Sequence, residues 1–66
     1  MRIIITFRDG NTATVGPAYD DDSWDAAEAL KARWLADRAG QVELVCSNAT
    51  VDVDLAEVVD IAIEVA

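Results

Sequence analysis

A lone cysteine, Cys46, and the absence of histidine deny this 66-residue chain the staples that small proteins commonly rely on. An intramolecular disulfide needs a second thiol, and an ordinary zinc site draws on several cysteines and histidines. A chain of this size buries only about 60% of the surface its unfolded form exposes. Stability must therefore come from dense packing or from self-association. No apolar run approaches the ~20 residues of a membrane span, and the segment from Met1 to Arg8 is too short for a signal peptide. The expectation is one cytoplasmic domain over residues 1–66, without membrane association, metal or cofactor.

Residues 2–8 set Ile3, Ile5 and Phe7 against Arg2, Ile4, Thr6 and Arg8, a period of two that predicts a strand with one buried face. A three-residue loop of Arg8, Asp9 and Gly10 keeps the apolar faces aligned, with Ile5 opposite Ala13 and Ile3 opposite Val15. A two-residue loop would mix them. The second strand should stop at Gly16-Pro17, since proline has no amide hydrogen to donate. A helix is then expected from Asp22 or Ser23, one of which would cap it, to about Ala39, with Gly40 as its left-handed terminus. Ala27, Leu30 and Trp34 share its apolar face, with Trp24 and Leu35 on the flank beside Lys31 and Arg38. The period of two returns for Val42, Leu44 and Cys46, then a turn at Ser47-Asn48-Ala49, then Val51, Val53 and Leu55. After a short turn near Ala56-Glu57, Val59, Ile61, Ile63 and Val65 alternate with Val58, Asp60, Ala62 and Glu64.

The order ββαβββ predicts an α+β fold of two layers, one helix packed on a mainly antiparallel four- to five-stranded sheet. A right-handed crossover through the helix would give the strand order 2-1-3-4-5. The same element order, a hairpin followed by a helix and further strands, resembles the ubiquitin-like β-grasp, which implies a last strand parallel to the first. The modifier proteins of that group end in Gly-Gly, whereas this chain ends Glu64-Val65-Ala66, so the resemblance carries no conjugation role.

Catalytic and metal-binding patterns are weak. Asp20, Asp21, Asp22 and Asp25 gather carboxylates, but an EF-hand loop counted from Asp20 would need glycine and glutamate where Asp25 and Lys31 stand. Acids at a helix start complement its dipole, which is the plainer reading. Cys46 has no histidine to activate it and falls in the apolar register, as a core cysteine does. Asp52 and Asp54 lie two apart on a strand, with Asp60 and Glu64 as the expected partners across the sheet, but nothing in so short a chain builds a pocket around them. The chain is expected not to be an enzyme.

Charge is the stronger signal. The chain carries 13 acids against five bases, for a formal net charge of -8, and residues 41–66 hold six of the acids and none of the bases. Alternation places Glu43, Asp52, Asp54, Asp60 and Glu64 on one sheet face, together with Ile4, Val45 and Val58. Such a face repels phosphates, which argues against direct nucleic-acid binding, and attracts basic proteins. The sequence therefore predicts a small acidic protein-binding module. Its contacts would be those five acids, with Ile4 and Val58 as apolar contacts and Trp24 and Tyr19 as aromatic anchors. Alternatives are a DNA mimic that occupies a DNA-binding protein, and a structural subunit of a homo-oligomer. An alanine- and arginine-rich usage with a single lysine fits a GC-rich genome, such as that of an actinobacterium or its bacteriophage. Carboxylates on an exposed sheet face also serve solubility.

Overall fold

A computed structural model of the chain describes residues 1–46 and 49–65. It comprises β1 (Arg2–Phe7), β2 (Thr12–Val15), α1 (Asp21–Ala36), β3 (Gln41–Cys46), β4 (Ala49–Asp54), a 3-10 turn (Leu55–Glu57) and β5 (Val58–Glu64). The chain is an α+β protein in which the strands form two antiparallel sheets, β2-β1-β5 and β3-β4. No helix among the described residues is long and apolar enough to cross a membrane.

The first hairpin forms in the register that its apolar pattern demands, with Ile3 opposite Val15 and Ile5 opposite Ala13. Gly10 closes it at φ 89°, and its amide donates to the Phe7 carbonyl at 3.0 Å. That left-handed conformation is one glycine adopts freely. The segment after β2 is pinned back onto the chain start, where the Met1 carbonyl accepts from the Ala18 amide at 2.9 Å and the Met1 ammonium donates to the Ala18 carbonyl.

Helix α1 begins and ends earlier than its composition suggests. Asp20, rather than Asp22 or Ser23, is the N-cap, and its Oδ2 accepts from both the amide and the hydroxyl of Ser23 at 2.9 Å. This buries Ser23 with its polar groups satisfied. The last turn closes at Ala36 with Asp37 as C-cap, so Gly40, at φ 92°, is the bend into β3 rather than the helix terminus. Ala27, Leu30 and Trp34 face the core as expected, and Cys46 lies in it. Arg38 packs its guanidinium over the Trp34 ring at 4.4 Å, while Leu35 stands exposed.

The strand order differs from both expectations. β5 lies antiparallel beside β1, with Ile5 opposite Ile61 and Ile3 opposite Ile63, and β3 pairs with β4 alone among the described strands. Alternation is satisfied by any of these arrangements, because it sets which face is buried and not which strand is the neighbour. The corner that decides the matter is the 3-10 turn. Asp54 Oδ1 accepts from the Ala56 amide, while the Arg8 amide and Nε donate to the carbonyls of Glu57 and Ala56, each at 2.9 Å. These bonds fold β5 back along β1. With β3 in a separate sheet, the crossover rule has no parallel pair to act on. Of the turn expected at Ser47-Asn48-Ala49, Ala49 instead opens β4, and Ser47 and Asn48 lie outside the described residues.

A bulge also sets β5 apart from the strand expected there. Thr6 pairs with Asp60 but Phe7 pairs with Val58, so Val59 is the extra residue. Val58 turns into the core, and Val59 is half exposed. The two sheets and the helix share one apolar cluster, in which Ile3, Ile5, Val53, Leu55 and Ile61 are fully buried.

Candidate functional site

Side chains alternate along β3 and β4, and Leu44 and Val53 occupy the core face. Gln41, Glu43 and Val45 on β3, and Thr50, Asp52 and Asp54 on β4, are consequently turned outward and exposed. Glu43 stands directly opposite Asp52, and Gln41 opposite Asp54. Two carboxylates in facing positions repel, and like charges so placed destabilise a sheet. The exposed Val45, opposite Thr50, adds an apolar contact on the same face.

The acids predicted to form one surface are divided between the two sheets. Asp60 and Glu64 belong to β5, where Asp60 faces Thr6 and Glu64 faces Arg2 across β1. Their face carries Ile4, half-buried and opposite Ala62, and a cation in register with an acid. Asp52 and Asp54 therefore have Glu43 and Gln41 as cross-strand partners instead of Asp60 and Glu64. Asp54 also commits one oxygen to the 3-10 turn. Val58 leaves the surface altogether, because the bulge directs it inward, and it cannot serve as a contact residue.

Trp24 and Tyr19 lie elsewhere. With Met1, Ala18, Asp20, Asp21 and Val65 they line an open cleft of about 240 Å³. Tyr19 is 80% exposed there, whereas Trp24 is half-buried and its indole Nε1 donates to the Glu28 carboxylate one turn on. None of the hairpin acids reaches this cleft, so the aromatic pair and the carboxylates form separate features.

A second concavity, to which no sequence pattern pointed, runs between α1 and β3 and encloses about 350 Å³. Ala26, Ala29, Leu30 and Arg33 form its helical wall, and Val42, Glu43 and Val45 form the other. The spacing of Ala26, Ala29, Leu30 and Arg33 marks one flank of a helix in retrospect. Only packing shows that Leu30 is buried at its base while Ala29 and Arg33 are left exposed. Glu43 is thus both a wall of this groove and half of the facing carboxylate pair.

No protein-family model, curated protein or solved structure matches the chain.

Proposed function

We propose that the chain is a small acidic protein-binding module that uses the outward face of the β3–β4 hairpin to engage a partner with a basic surface. The observation that carries this reading is the placement of Glu43 directly opposite Asp52 on an exposed face. The pair costs the free protein stability, and a partner's lysine or arginine laid across both carboxylates relieves that cost on binding. Asp54 extends the anionic field along β4. The excess of 13 acids over five bases speeds encounter with a cationic surface at low salt. Asp60 and Glu64 take a lesser part, since Arg2 stands in register with Glu64.

The test is retention of a basic partner on the immobilised chain at low and high salt. A triple variant of the hairpin (Glu43→Gln, Asp52→Asn, Asp54→Asn) is compared with a double variant of the other sheet (Asp60→Asn, Glu64→Gln). Loss of the partner with salt and with the triple variant only is the expected result. Equal loss in both variants would reduce the attraction to overall charge and sink the assignment to the hairpin. Displacement of the partner by duplex DNA would identify the surface as a DNA mimic.

A further inference from the structure

The groove between α1 and β3 has a geometry that the acidic face alone does not reveal. Val42 belongs to the inward side of β3, while Glu43 and Val45 belong to the outward side, yet all three line the groove. Because successive side chains point to opposite faces of a strand, a concavity touching both sets runs along the strand's edge. β3 pairs with β4 on one side, and among the described residues no strand pairs with the other. That edge of β3 therefore borders the groove, beside the small side chains of Ala26 and Ala29.

We propose that this groove takes an extended segment of a partner protein as an additional strand on β3, the segment carrying lysine or arginine on its outward face and apolar side chains toward α1. The inference rests on the reading of the hairpin as a surface for a cationic partner and specifies how that partner is held. Strand addition draws affinity from main-chain hydrogen bonds and specificity from alternate side chains. The phase of the alternation follows from charge. A residue of the added strand opposite Glu43 lies on the outward face, next to the Glu43–Asp52 pair, where a cation is favoured. Its neighbours opposite Val42 and Leu44 point inward against Ala26 and Ala29, where Arg33 on the helical wall disfavours a second cation. A second copy of this chain fits less well. Pairing β3 with β3 brings two Glu43–Asp52 pairs into neighbouring positions between molecules that each carry a net charge of -8.

The experiment is fluorescence anisotropy with a labelled decapeptide of alternating valine and lysine. Its twin is N-methylated at the central residues, which keeps every side chain and charge but removes the backbone donors. The wild-type chain should bind the first peptide, and bind the twin at least about tenfold more weakly, the effect of losing two or so net hydrogen bonds. Ala29→Trp, at an exposed position that fills the groove, should produce a similar loss with an unchanged far-UV spectrum. Equal binding of both peptides would overturn strand addition and leave the hairpin as a charge-only surface. Binding of either peptide undiminished by Glu43→Gln with Asp52→Asn would instead remove the reading beneath it. A dimer that excludes the peptide would give the edge to a second copy and overturn the proposal.

Discussion

The three-stranded sheet and the β3–β4 hairpin both bury an apolar inward face, yet they treat their outward faces and edges differently. In the first, β1 is paired on both sides, Ile3 and Ile5 are fully buried, and Arg2 stands opposite Glu64. In the second, each strand has one neighbour among the described residues, Glu43 faces Asp52, and one edge opens into a groove. The first arrangement concentrates stability. The second gives some of it up to a facing pair of like charges and to an edge with no neighbouring strand among the described residues. A small chain can carry such a feature only when the rest of its core is tightly packed.

The largest test bears on the bulge that closes the three-stranded sheet. Val58→Asp places an uncompensated carboxylate in the core and should cost roughly 3–5 kcal/mol, enough to unfold a domain of this size. Val59→Asp, at the half-exposed bulge position, should stay within about 0.5 kcal/mol. Urea denaturation followed by circular dichroism separates the two, and the reverse order, with Val59→Asp the costlier change, would mean that the strand runs without a bulge.

Next in size is truncation at the centre of the same sheet. Ile5→Ala removes a fully buried side chain from the strand paired on both sides and should lower stability by about 2–5 kcal/mol. A loss under about 1 kcal/mol would shift the stable centre toward the hairpin. Hydrogen exchange gives a milder comparison. Amides of β1 should exchange only on global opening, while those on the free edge of β3 should exchange at least about tenfold faster.

The smallest effects distinguish the sheets by sign. Arg2→Gln removes a charge opposite an acid and should destabilise by a few tenths of a kcal/mol, whereas Glu43→Gln removes one of two facing carboxylates and should stabilise by about as much. Both shifts should shrink as salt is raised. The same sign for both variants would erase the electrostatic contrast on which the hairpin assignment depends.

Much of the fold is legible in the sequence. The hairpin register follows from keeping Ile3 and Ile5 on one face with Val15 and Ala13. The face of α1 follows from the spacing of Ala27, Leu30 and Trp34, and the burial of Cys46 from its place after Val42 and Leu44. The alternation of Glu43 with Leu44 and of Asp52 with Val53 likewise marks these acids as outward. Less legible are the helix ends, because Ser23, Asp22 and Asp20 are all competent caps and only the bonds actually made select Asp20. Val58 reads as outward in the sequence because a bulge inserts one residue into a strand without altering the apolar composition around it. The groove leaves no trace there, since an alanine flank reads the same whether a neighbour covers it or not.

Local periodicity, turn chemistry and charge thus determined which residues are inside, where the chain bends and which face is anionic, because each depends on residues a few positions apart. Strand neighbours, the division of the acids between two sheets and the open edge of β3 were decided by contacts between distant segments, above all Arg8 with Glu57 and β1 with β5. Alternation is indifferent to partner, so only the packed chain could choose among sheets that bury the same faces.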